Sequence, residues 1–243
     1  ALARSGRTAT ALEAAALAAE LGADRRRLED EVLAVDVVSE ERAQALLERA
    51  EATGSPEAWL RAAEQLAAAG LTDRAEDARL EAELASPRPS DPEAVALGLQ
   101  ARERWADLAR VLEARICEAS APEADELRVW LGRVSLRLGQ PERGRGPLEG
   151  LVDAGRGGLE ALEVLLPIVR ALGDVEAELR VLAQVMMRAE RAERRSRAAS
   201  RSAHLHARAG RPRAALEALE LATGPETDRD LRGWAEALEG HAR

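Results

Sequence analysis

Blocks of Ala and Leu mixed with Glu and Arg run along this chain, and nowhere do apolar and polar residues alternate for long, as they would in a strand. Many blocks open on Pro behind a capping residue, as in Ser55-Pro56-Glu57 and Asp91-Pro92-Glu93. Several close on Gly, as at Gly139 and Gly173. The pattern therefore predicts an all-α chain. The predicted helices cover residues 8–21, 24–37, 40–53, 56–69, 73–85, 92–103, 105–119, 122–138, 141–153, 158–171, 174–189, 193–209, 212–222 and 228–240.

The predicted helices come in pairs, and the pairs repeat with a nearly constant period. Short linkers join them, so successive helices should pack as antiparallel hairpins. The first helix of each pair ends at 38, 70, 104, 139, 173 and 210, in steps of 32, 34, 35, 34 and 37 residues. A period of this size is the signature of a helical-repeat protein.

A two-helix unit with a period near 34 residues resembles the tetratricopeptide repeat (TPR), in a degenerate form. In that family, small residues occupy two positions where the paired helices cross. The first-helix position corresponds here to Ala63, Leu97, Gly132, Leu166 and Ala203. The second-helix position corresponds to Ala43, Ala75, Ala109, Gly144, Glu178 and Ala215. Five of these six second-helix residues are small, whereas Leu166 and Glu178 break the rule.

The resemblance implies a right-handed α-solenoid of about six TPR-like hairpins over residues 24–223. Residues 8–21 then look like the second helix of an earlier hairpin, and residues 228–240 like a terminal or capping helix. One interpretation is a single solenoid, 1–243, cut from a longer protein. Exposed terminal helices would then give the chain a route to self-association.

Composition and charge narrow the choice of partner. The net charge of −9 argues against general nucleic-acid binding, which requires a basic surface. No apolar run approaches the ~18 residues of a membrane span. A single Cys excludes an internal disulfide framework, which fits a reducing, cytoplasmic compartment. All 35 basic residues are Arg, and Lys, Asn, Phe and Tyr are missing, a bias that suggests a GC-rich bacterial genome.

TPR arrays bind peptides in a concave groove lined by the first helix of each repeat. Carried onto this sequence, the groove begins acidic, with Glu57 and Glu64, and later also carries Glu160 and Glu163. Its candidate partner-binding residues are Arg133, Arg137, Arg170, Arg197, His204 and Arg208. The expected ligand is a protein or peptide segment of acidic character. The alternative is that these side chains are ordinary solvated helix residues.

The stretch Arg188–Arg213 is the most basic part of the chain, with nine Arg against two Glu. Guanidinium groups suit the recognition of carboxylates and phosphates. This end could bind an acidic peptide, a phosphate group or the acidic end of a second copy. An Arg-rich helix face that is merely solvated and paired with local Glu residues is the competing interpretation.

No catalytic site, cofactor site or metal site is predicted. His204 and His206 lie two positions apart on a helix, so they point in divergent directions and cannot share one metal ion. Cys117 has no identifiable His partner, and we expect a buried core thiol. The hypothesis is therefore a non-catalytic protein-interaction scaffold. The alternative is a regulatory or ligand-sensing segment of a larger multidomain protein.

Overall fold

The structure is a computed structural model that describes residues 8–20, 40–87 and 89–222, together with positions 233, 236 and 237. The predicted helix 24–37 and most of the predicted helix 228–240 lie outside the described residues. The described chain falls into two compact units, divided between Arg102 and Glu103. The prediction of one continuous array through both units stays a prediction.

The first unit is built only of helices in its described part. They are α1 (Thr8–Glu20), α2 (Glu40–Thr53), α3 (Pro56–Ala68), α4 (Thr72–Ala85) and α5 (Pro92–Ala101). From α2 onward each helix packs on the next, and α1 packs on α2. Its buried residues are mainly Ala, and Leu66 and Leu99 are its large fully buried side chains.

The second unit continues the same plan. Its described helices are α6 (Trp105–Glu118), α7 (Ala121–Arg137), α8 (Pro141–Asp153), α9 (Gly158–Ala171), α10 (Val175–Arg188), α11 (Ala192–Arg208) and α12 (Pro212–Leu221). Each packs on its successor, and α7 also packs on α9, one hairpin further along. The prediction of an all-α array of helical hairpins is confirmed in these described helices.

Side chains and glycines fix the helix ends where the sequence predicts them. The Asp91 carboxylate accepts hydrogen bonds from the backbone N–H groups of Glu93 and Ala94, at 3.1 and 2.9 Å, and so caps α5. Gly139 and Gly173 follow α7 and α9 with φ angles of 70° and 69°. Only Gly adopts this conformation without strain, and it lets each chain turn sharply into the next helix.

Paired helices of the second unit cross at the small residues. A Cβ atom added to Gly144 of α8 would lie 2.9 Å from the Cα atom of Gly132 in α7. One added to Gly132 would lie 2.9 Å from Cγ1 of Val164 in α9. Neither position has room for a methyl group, because the Gly132 backbone lies too close to Gly144 and the Leu148 and Val164 side chains fill the space at Gly132. The other crossing residues with Ala, including Ala75 and Ala109, are fully buried.

The prediction that Cys117 is a buried core thiol is wrong. Cys117 is exposed, not buried, because it lies nine residues after the buried Leu108, and nine steps of roughly 100° place it on the opposite face of α6. Its thiol hydrogen-bonds only its own helix, at the carbonyl of Glu113. Leu97, assigned to a crossing position, is 52% exposed.

Ion pairs connect each hairpin of the second unit to its neighbour. The Arg143 guanidinium in α8 donates two hydrogen bonds to Glu113 in α6, at 3.0 and 2.7 Å. Arg211, just before α12, donates to Glu176 in α10 at 2.7 Å. The partners lie about one repeat apart in sequence, so the same kind of contact recurs along the array. These pairs are half-exposed, and such pairs contribute little to stability because water screens the charges.

Gly144→Ala should lower the free energy of unfolding, because its new methyl group would meet the Gly132 backbone, which cannot move aside. Overpacking of this kind costs about 1–3 kcal/mol. Gly150→Ala on the same helix is the matched control. Its Cβ would meet nothing within 4 Å, and a helical Gly→Ala change stabilises by about 0.5–1 kcal/mol. Thermal melts followed by circular dichroism measure both; equal melting temperatures would contradict the close crossing.

Candidate functional site

The most distinctive side chain of the second unit is Glu178, the acidic residue at a position where five of six repeats carry Ala or Gly. It lies in α10, and its side chain is only 4% exposed. A buried carboxylate is costly unless it is paired and hydrogen-bonded. Its surroundings must therefore supply donors.

Two arginines from the neighbouring helices supply those donors. Arg201 of α11 donates from Nε to Oε1 of Glu178 at 2.8 Å and from Nη2 to Oε2 at 3.2 Å. Arg170 of α9 donates from Nε to the same Oε1 at 3.0 Å. The carboxylate thus joins three helices at one point. Burial opposes the ionisation of Glu178, but the hydrogen bonds from Arg201 and Arg170 outweigh it, and its pKa is lowered.

An open pocket of about 550 Å³ lies beside this ion cluster. The cluster forms one wall, and the buried Leu205 supplies an apolar surface. Val175, 40% exposed, adds apolar surface where α10 begins. The lining residues are Arg170, Gly173, Val175, Glu176, Glu178, Arg201, Leu205, Arg208 and Ala209.

Among the described residues, Arg208 is the cation of this pocket that has no acidic partner. It lies in the last turn of α11 and is exposed. It makes no hydrogen bond or ion pair with another described residue. The second acid of the lining, Glu176, is matched by Arg211, whose hydrogen bond lowers the pKa of Glu176. The pocket therefore presents unused guanidinium donors next to apolar side chains, which is a surface that suits a carboxylate or a phosphate.

The structure brings together two of the six residues proposed from the sequence. Arg170 and Arg208 line the same pocket. Arg133 instead forms an ion pair with Glu160, and Arg197 with Glu193 on its own helix.

The remaining two lie outside the pocket lining. Arg137 is exposed near the end of α7. The His204 ring is half-buried, with Nδ1 2.9 Å from the carbonyl oxygen of Ser200 in its own helix. Of the six residues predicted for the groove, Arg170 and Arg208 are therefore the two that line the pocket beside Glu178. Their role in binding stays a prediction.

Sequence reasoning missed Arg201 and Glu178, the two residues that organise the pocket. The signal for Glu178 was present, since an acid at a helix crossing requires an explanation. Several Arg side chains of the Arg188–Arg213 stretch are also already paired with acidic residues of the chain. Arg194 pairs with Glu163 at 2.7 Å, and Arg201 and Arg211 pair with Glu178 and Glu176.

Metal-ligand clusters and membrane-spanning helices are absent from the described residues. Within them, no group of three His, Cys, Asp or Glu side chains is placed to hold a metal ion. No helix in the described ranges is both long and apolar enough to span a bilayer. Another pocket, of about 190 Å³, lies over α8 and α10, and Arg145 there is already paired with Glu149 and Asp174.

No protein-family model matches the chain, and no curated protein matches it. Among solved structures, the chain is similar to YrrB, a TPR protein with an unusual peptide-binding site. The identity is 18% and the TM-score 0.46, over 80% of this chain and 99% of that one. It is also similar to the de novo designed helical repeat protein DHR64, with 22% identity and a TM-score of 0.12 over 98% and 95%.

Replacing Glu178 should lower the free energy of unfolding less than replacing its partner Arg201. Glu178→Ala restores the residue type of the other repeats, and the released guanidinium groups, 49% and 38% exposed, can be hydrated. Arg201→Met leaves a buried carboxylate short of donors, which costs about 1–3 kcal/mol. Urea unfolding at neutral pH compares the two variants with the wild type. A larger loss for Glu178→Ala would mean that the ion cluster itself stabilises the fold.

Acidification should destabilise the second unit through His206. Burial, and then the nearby Arg211, lower the pKa of His206 in the folded chain. As the pH falls below 6.5, its ordinary value, the unfolded chain binds a proton more readily than the folded chain, so unfolding becomes more favourable. The nearby carboxylates of Glu176 and Glu217 oppose this shift without cancelling it.

The melting temperature should therefore be lower at pH 5.5 than at pH 7.5 in the wild type. His206→Leu removes the titrating group and should reduce that difference. Thermal melts of both proteins at both pH values measure it. An identical fall in the variant would assign the pH dependence to other groups.

Proposed function

We propose that the chain is a non-catalytic protein-interaction module that binds an acidic segment of a partner at the pocket between α9, α10 and α11. The observation that carries the proposal is the unpaired Arg208 beside Arg170 and Arg201, in an open pocket with apolar walls. A partner carboxylate would accept hydrogen bonds there that no described residue of the chain takes up.

The arrangement favours a ligand with an acidic and an apolar residue side by side. Val175 is the first residue of α10, and Leu172 lies just before that helix. Their side chains are partly exposed, at 40% and 36% respectively. The largely buried Leu205 also lines the pocket. An aliphatic side chain that follows the acid in the partner would bury apolar surface here, at about 25 cal/mol per Å². Charge would direct the encounter, and apolar contact would add affinity.

A short peptide tests this proposal directly. The probe is acetyl-Ser-Ala-Glu-Leu-Ala-Ser-amide, added at millimolar concentration to the 15N-labelled full chain and followed by NMR. We expect the Nε–H signal of Arg208 to shift with saturation, and the binding to weaken as salt is raised, because the charges are partly exposed. The matched control peptide carries Gln in place of Glu and should bind much more weakly.

Two Arg variants distinguish binding at the pocket from binding along a longer basic groove. Arg208→Gln should weaken binding roughly tenfold or more, since a hydrogen bond to a charged group contributes about 1.5–3 kcal/mol. Arg137→Gln removes an equally exposed Arg on α7, outside the pocket, and should leave the affinity unchanged. Equal losses in both variants would favour the extended basic groove. Equal binding of the Glu and Gln peptides would overturn the proposal of an acidic ligand.

A further inference from the structure

The Glu178 carboxylate accepts some of the hydrogen bonds that the Arg side chains of the pocket can donate. It accepts three hydrogen bonds, two from Arg201 and one from Arg170. Among the described residues no other group accepts from these two guanidinium groups. The Nη atoms of Arg170, Nη1 of Arg201 and all donors of Arg208 therefore remain for a ligand.

The same carboxylate also sets the charge that a ligand meets. The guanidinium groups of Arg170, Arg201 and Arg208 line the pocket, with Glu178 as their fixed counter-charge. The other lining acid, Glu176, is paired with Arg211, which lies outside the lining. Packing does not require an acid at Glu178, because the equivalent positions carry Ala or Gly in five repeats. Packing at the helix crossing therefore does not account for the carboxylate, which lines the pocket.

We propose that Glu178 is a built-in counter-charge that weakens the pocket's attraction for a doubly charged phosphate more than its attraction for a singly charged carboxylate. This inference rests on the proposed function and adds the ligand class. Coulomb energy is proportional to the product of the two charges, so one fixed negative charge opposes a dianion twice as strongly as a monoanion. A phosphoserine carries about −1.5 to −2 at pH 7, whereas a Glu side chain carries −1.

The test compares two peptides on two proteins. The peptides are acetyl-Ser-Ala-Glu-Leu-Ala-Ser-amide and the same sequence with phosphoserine in place of Glu. The proteins are the wild-type chain and Glu178→Gln, which keeps the side-chain shape and removes the charge. NMR titrations at pH 7.5 give the four dissociation constants. We expect the ratio of phosphopeptide affinity to Glu-peptide affinity to rise on the order of tenfold in the variant.

Glu163→Gln is the matched control, since it removes one acidic charge from the same unit at an exposed residue outside the pocket. Its affinity ratio should stay at the wild-type value. Where Glu178→Gln melts too early for titration, Glu178→Ala serves instead, because it installs the residue common at this position. An unchanged ratio in the folded Glu178 variant would overturn the inference.

The outcomes also separate this inference from the proposed function. If the wild type binds the Glu peptide and the Glu178 variant keeps the wild-type ratio, the proposed function stands and the counter-charge role fails. If the wild type and the Glu178 variants bind neither peptide, both are overturned. A rise in the ratio confined to the Glu178 variants supports both.

Discussion

The close crossing of paired helices at small residues is the constraint on which this structure depends. At Gly144 the α7 backbone leaves no room for a methyl group, and at Gly132 the Leu148 and Val164 side chains fill the space. Only this approach lets the apolar side chains on either side, such as Leu148 and Ile168, become fully buried. Half-exposed ion pairs between hairpins add little energy by comparison. Packing at the crossings therefore determines the spacing of the array, and the charged surface adapts to it.

Glu178 shows how one repeat departs from that rule without losing the fold. A carboxylate at a crossing is tolerated because α9 and α11 both deliver a guanidinium group to it. The departure places buried charge beside an open pocket, and it occurs in one repeat of the six. Local rules are commonly broken where a protein has a functional site. The exception in the repeat pattern is therefore more informative about function than the pattern itself.

The fold was largely predictable from the sequence, and the site was not. Pro and Gly act on their immediate neighbours, so the predicted bounds 141–153 and 158–171 agree with α8 and α9. The Arg201–Glu178 pair joins residues 23 apart on different helices, and only their packing decides that they meet. The same reason explains why the Arg133 and Arg197 side chains, proposed for the groove, lie beside the chain's own acids.

The connectivity of the helices has a consequence for how the chain acquires its structure. The extensive contacts in the described part join helices that are adjacent or next but one along the chain. Such a topology has a low contact order, so little loop-closure entropy is lost before native contacts form. Nucleation can begin at several hairpins, and a hairpin can open without unfolding distant ones. A segment at the edge of such an array can therefore reorganise around a partner while the rest stays folded.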